Sequence, residues 1–122
     1  GGITGYNNGS IVYCENQGKI ITSSSYISLT GGICGNLQGG KILGNSNRGT
    51  ITSTVKYPSV SSSIQETGGI VGRSQANSLI NRCYNYGEIS NNSQYVGGIA
   101  GKISKTNLFN SINIGNVTST LA

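Results

Sequence analysis

One five-residue phrase recurs four times in this chain: GGITG at Gly1, GGICG at Gly31, GGIVG at Gly68 and GGIAG at Gly97. A second phrase follows each copy, an aliphatic residue leading to Asn-x-Gly-x-(Ile/Val). Its four versions are IVYCENQGKI, ILGNSNRGTI, INRCYNYGEI and LFNSINIGNV. The copies start 30, 37 and 29 residues apart. A period of about 20 to 50 residues signals units that cannot bury an apolar face alone and must stack on one another. The spacing therefore predicts one repeat domain with units 1–30, 31–67, 68–96 and 97–122, expected to be a segment of a longer protein.

Aligning the units exposes three aliphatic columns: Ile3, Ile33, Ile70 and Ile99; Ile11, Ile42, Ile80 and Leu108; Ile20, Ile51, Ile89 and Val117. No 3.6-residue periodicity spans a unit, and glycine interrupts every candidate helix. β-branched Ile, Val and Thr favour strands. The expected fold is all-β: a β-solenoid (β-helix) of four coils, each of roughly 30 residues with about three short strands. The stacked columns supply its core, and about 4.8 Å per coil makes the stack about 20 Å tall.

A fourth column holds Asn16, Asn47, Asn85 and Asn113, each two residues before Gly18, Gly49, Gly87 and Gly115. Stacked Asn side chains hydrogen-bond to one another as a ladder, so this column is expected to be structural. The glycines would supply a positive φ or room for a tight corner. The opening Gly pairs precede a strand residue rather than a helix, unlike phosphate-binding turns.

Composition excludes several chemistries. The chain has 122 residues, 34% hydrophobic and 9% charged, with no His and no Asp; its carboxylates are Glu15, Glu66 and Glu88. A zinc cluster, an Asp-dependent calcium repeat and a Ser-His-Asp or Cys-His nucleophile all lack required residues. Glu15 and Glu88 fall in different columns two coils apart, which argues against a polysaccharide-cleaving pair. The expectation is a non-enzyme without metal or cofactor. Net charge is +5, but Lys19, Lys41, Arg48, Lys56, Arg73, Arg82, Lys102 and Lys105 form no run. They read as a solubilising surface, with a polyanion or acidic-glycan surface as the other reading, and not as a nucleic-acid interface. No apolar stretch is long enough for a membrane span.

The GG-I-x-G and Asn-x-Gly-x-Ile phrases, clearest over Arg82 to Gly101, resemble the GLUG-motif repeats. The resemblance covers all four units. It implies a bacterial-type extracellular repeat region, adhesin-like or flanking the catalytic part of a secreted peptidase, and carries over no catalytic residue. The enlarged second unit and a cysteine column filled in only two copies depart from the pattern.

Cys14 and Cys83 share a column with Asn45 and Ser111, two coils apart, and Cys34 lies in another with Thr4, Val71 and Ala100. That separation, near 10 Å, exceeds disulfide reach, so three free thiols are expected. The long spacer of unit two, roughly Thr54 to Glu66, contains Lys56 and Tyr57, candidate contact residues because inserts leave the stack on one side. Tyr84 and Tyr86 flank Asn85 and are expected to face outward, where Tyr stacks on sugars. Asn8, Asn91 and Asn116 begin glycosylation sequons at a frequency this composition gives by chance.

The expected function is a non-catalytic stalk or binding scaffold of a secreted or cell-surface protein. Its partners would be neighbouring repeats, copies of itself, a glycan or a partner surface protein. The alternative is a subunit that stacks end to end into an extracellular filament, since the chain holds a whole number of coils without an evident cap. A third reading, an ice-binding array of Thr52, Thr54, Thr118 and Thr120, is broken by Ile21-Thr22-Ser23 and Ser90-Asn91-Asn92.

Overall fold

The computed structural model describes residues 1–92 and 95–120. Coil one contains β1 (Thr4–Asn7), β2 (Ser10–Val12), β3 (Glu15–Asn16), β4 (Ile20–Ser24) and β5 (Ile27–Gly31). Coil two contains β6 (Cys34–Gln38), β7 (Lys41–Leu43), β8 (Ser46–Asn47), β9 (Ile51–Val55) and β10 (Ile64–Gly68). Coil three contains β11 (Val71–Gln75), β12 (Ser78–Asn81), β13 (Tyr84–Asn85), β14 (Ile89–Asn91) and β15 (Tyr95–Gly97). Coil four contributes β16 (Ala100–Ile103), β17 (Thr106–Phe109), β18 (Ile112–Asn113) and β19 (Val117–Ser119).

Equivalent strands pair in parallel across coils and build five sheets: β1-β6-β11-β16 (sheet I), β2-β7-β12-β17 (II), β3-β8-β13-β18 (III), β4-β9-β14-β19 (IV) and β5-β10-β15 (V). The register keeps the repeat columns together: Ile11 pairs with Ile42 and Ile42 with Ile80, Ile20 with Ile51, and Asn47 with Asn85. The molecule is a parallel β-solenoid of four coils. Each full coil carries five strands rather than the three expected. Sheet III runs for only two residues per coil, and sheet V lies in what reads as spacer.

Sheet V lies between two others. On one side its backbone meets the glycines of sheet I: a Cβ on Gly72 would stand 2.6 Å from the Thr30 nitrogen, and one on Gly35 would stand 2.7 Å from the Leu29 oxygen. On the other side its hydroxyls and amides bond sheet IV: Thr22–Thr30 at 2.9 Å, Ser28–Ser53 at 3.0 Å and Gln65–Ser53 at 3.0 Å. Two interiors result. One is apolar, with Ile33, Cys34, Leu37, Ile42, Ile70, Val71, Ile80 and Cys83 buried together. Burying one such aliphatic side chain stabilises by about 1.5–3 kcal/mol. The other is largely polar, holding Ser28, Thr30, Ser53, Gln65 and Thr67, with Ile51 and Val55 on the same buried face of β9 as Ser53 and outside the apolar cluster. Hydrogen bonds among Ser28, Thr30, Ser53 and the Gln65 Nε2 offset the cost of removing them from water, whereas Thr67 Oγ1 and Gln65 Oε1 are buried without a hydrogen-bond partner among the described residues.

The columns are buried mid-stack and, Ile11 apart, opened at its limits. Ile33 and Ile70 are buried, whereas Ile3 is exposed and Ile99 is partly buried. In this structure coils one and four each pair with one coil, and coils two and three each pair with two.

In the phrases of coils two and three, three glycines answer to three close approaches. The first crowds the next coil: a Cβ on Gly31 would stand 2.6 Å from the Ile70 oxygen. The second faces the Asn column: a Cβ on Gly69 would lie 2.7 Å from Asn85 Cβ. The last lets sheets I and V meet, as above for Gly72. Contacts this short do not occur, so a side chain there must displace backbone or the Asn column. The two halves of the repeat therefore specify each other.

Candidate functional site

Side chains of the Asn column bond in one direction along the stack. Asn16 Nδ2 donates to Asn47 Oδ1 at 2.7 Å, Asn47 to Asn85 at 2.8 Å, and Asn85 to Asn113 at 2.7 Å. Each Nδ2 also donates to the carbonyl of its partner glycine, Gly18, Gly49, Gly87 or Gly115, at 2.8–2.9 Å. Asn47 and Asn85 are fully buried. The glycines supply room and not a positive φ: among the described residues only Gly39 and Gly44 are glycines with positive φ. A Cβ on Gly49 would overlap the Gly18 carbonyl.

Left-handed backbone belongs to two other columns, one of them Gly39 (φ 75°), Ala76 (φ 61°) and Lys105 (φ 46°). Tyr13 (φ 54°), Gly44 (φ 68°), Arg82 (φ 55°) and Asn110 (φ 52°) occupy equivalent positions at one bend. The next residue closes that bend. Cys14 Sγ, Asn45 Nδ2, Cys83 Sγ and Ser111 Oγ each donate to the carbonyl two residues back, Val12, Leu43, Asn81 and Phe109. The Cys14–Asn45–Cys83–Ser111 column thus selects a small donor, and a thiol qualifies as a weak one. All three cysteines are free. Burial pushes the Cys34 thiol up to about 11 and also raises Cys83.

The insert of coil two is shorter than the spacer read from sequence. Thr54 and Val55 belong to β9, and Ile64 to Glu66 to β10, so only residues 56–63 leave the stack. Its Tyr57 ring stacks on Tyr26 of coil one, centroids 5.3 Å apart, and Lys56 Nζ lies 5.2 Å from the Tyr57 centroid. Tyr84 is half-buried. Tyr86 lies under Arg48, whose guanidinium carbon is 4.3 Å from the ring centroid, and Arg48 also pairs with Glu15 at 2.5 Å. Hydrogen bonds from Gln17 and Arg48 hold the Glu15 carboxyl below its ordinary range. The four candidate contact residues thus divide between two places, and Tyr86 is engaged by its own molecule.

The Thr array is interrupted in space as in sequence. Ile21 and Ser90 both pair with Thr52, and the Asn92 amide turns aside to bond the Val55 backbone at 2.8 and 2.9 Å. A depression on sheet IV is lined by Thr50, Thr52, Glu88, Ser90, Asn116 and Thr118. Ser93, third residue of the Asn91 sequon, lies outside the described residues.

Sequence reasoning missed Glu66. It sits in β10, only 1% exposed, and both its oxygens accept from Arg73, Nε at 2.6 Å and Nη2 at 2.9 Å. Lys102 Nζ is 3.9 Å from the same carboxylate. The pairing raises the Arg73 pKa further above its ordinary value. Arg73 and Lys102 share one column, so a second depression lined by Arg73, Ser74, Gln75, Lys102 and Ser104 carries two cations. The signal was present: Arg73 and Lys102 are the residues immediately after GGIVG and GGIAG.

Among the described residues no three His, Cys, Asp or Glu side chains gather as a metal site, and no helix is long and apolar enough to cross a membrane. The chain matches no protein-family model, no curated protein and no solved structure.

Proposed function

We propose that this chain is a non-catalytic β-solenoid repeat module of a secreted or cell-surface protein, serving as a stalk or binding scaffold. The observation that carries the reading is the division of labour among its residues. The repeated GG pairs and the Asn column are consumed in holding coil to coil. The outward positions vary from coil to coil, as a scaffold that presents different surfaces requires. The resemblance to GLUG-motif repeats supports the extracellular setting. Light scattering after size exclusion tests it: a scaffold module runs as a folded monomer of 12.6 kDa.

The ladder's polarity favours a second reading, end-to-end assembly. At coil four Asn113 Nδ2 keeps an N–H beyond its bond to Gly115, and at coil one Asn16 Oδ1 accepts from no described residue. A second copy stacked head to tail would join that donor to that acceptor. Concentration-dependent polymers with a fibre axis in negative-stain micrographs would establish it and overturn the monomeric scaffold.

A further inference from the structure

Two cations one coil apart, about 4.8 Å in backbone spacing, repel unless something negative holds them. Here Glu66 does so from the layer beneath. Its buried carboxylate takes the Arg73 Nε–H and one Nη2 hydrogen, leaving three guanidinium N–H donors unused. Lys102 is half-exposed, beside the same carboxylate and 5.2 Å from the Tyr95 ring centroid. The depression they border holds about 310 Å³ and is otherwise lined by Ser74, Gln75 and Ser104. Ser74 Oγ is committed to Thr106, which leaves the Gln75 amide and the Ser104 hydroxyl as neutral hydrogen-bonding groups.

We propose that this depression binds an anionic sugar, a uronate-type saccharide. Its carboxylate lies between Arg73 and Lys102 and its hydroxyls meet Gln75 and Ser104. Two cations against one carboxylate leave a local charge of +1, which complements a monoanion rather than a polyphosphate. The volume is at the lower limit of ligand pockets and suits one sugar ring. Glu66 fixes the guanidinium, so little side-chain entropy is lost on binding. The proposal rests on the scaffold reading and names what one face of the scaffold takes.

The test is an NMR titration of the labelled chain with a galacturonic acid trisaccharide, a neutral galactose trisaccharide and sodium sulfate, each to about 10 mM, enough to saturate a site of about 1 mM Kd. The uronate is expected to shift the Arg73 Nε–H and the Gln75 and Ser104 amides saturably, and the neutral sugar to leave them in place. Lys102→Gln should weaken binding by about fivefold or more, the loss of one partly exposed charge contact, whereas Lys19→Gln on coil one should not. No uronate shifts, equal effects of sulfate and uronate, or equal weakening by both variants would overturn the site. A folded monomer that binds no uronate refutes the site and leaves the scaffold reading standing; a chain that polymerises while still binding uronate does the reverse.

Discussion

Replacing Asn85 with alanine removes the most connected rung of the ladder. Asn85 accepts from Asn47 Nδ2 and donates to Gly87 and Asn113, at 2.7–2.9 Å, in a fully buried position. Each hydrogen bond is worth about 1 kcal/mol net, and a buried partner left unsatisfied costs about 1–3 kcal/mol. The Asn47 amide keeps its bond to Gly49, so one of its hydrogens and the Gly87 carbonyl bear the loss. Asn85→Ala should therefore destabilise by about 3–4 kcal/mol. Unfolding entropy near 2.1 cal/mol/K per residue over 122 residues is roughly 0.26 kcal/mol/K, so Tm should fall by about 12–15 °C. Asn113→Ala is the milder comparison: this exposed residue donates to Gly115 and accepts from Asn85 Nδ2, and the loss of these two bonds, within reach of water, should cost about 1–2 kcal/mol. Urea and thermal unfolding followed by circular dichroism read both. Equal losses, or a loss at Asn85 below about 1 kcal/mol, would show that the ladder does not hold the coils as argued.

Gly69→Ala should destabilise by more than about 3 kcal/mol or abolish folding, because its Cβ would stand 2.7 Å from Asn85 Cβ; soluble expression and thermal unfolding read this. Arg82 holds φ 55°, a left-handed conformation costing about 1–2 kcal/mol for most residues and less for Asn. Arg82→Asn should accordingly raise Tm by about 2–4 °C. The Cys34 thiol, raised to about 11 from 9.0, should resist alkylation at pH 8 until the chain unfolds. The linkage has a definite sign: the folded pKa exceeds the unfolded one, so this contribution is complete below pH 9 and is lost as pH rises towards 11. Urea midpoints at pH 8 and pH 10.5 measure it, and Cys34→Ala should reduce the difference, leaving the part that the buried Cys83 thiol contributes with the same sign. Joining β9 to β10 by the Ser-Tyr link of coil one in place of residues 56–63 should preserve the strand content and remove the Tyr26–Tyr57 stack, visible in near-ultraviolet dichroism.

The stack and its Asn and Ile columns were legible because identity repeats at fixed positions, and only stacking makes identical residues neighbours. The strand number was not, because Glu15–Asn16 and its equivalents are too short to show alternation. The polar interior was hidden for a related reason: Ser28, Thr30, Ser53 and Gln65 read as surface residues until sheet V is seen between two layers. The left-handed column of Tyr13, Gly44, Arg82 and Asn110 escaped notice since its residues share no identity; the bend is imposed by the coil and tolerated by its occupants. Glu66 reads as the end of an insert because its partner Arg73 lies across the GG turn in another sheet. Only the shared position of Arg73 and Lys102 after GGIxG hinted at two converging charges.

The most direct test of the solenoid is side-chain amide NMR of Asn16, Asn47, Asn85 and Asn113. The structure predicts cross-coil contacts between Asn16 and Asn47, Asn47 and Asn85, and Asn85 and Asn113, with Asn47 and Asn85 amide protons exchanging slowly. Four Asn amides exchanging at free rates, without contacts between repeats about 30 residues apart, would contradict the stack and everything built on it.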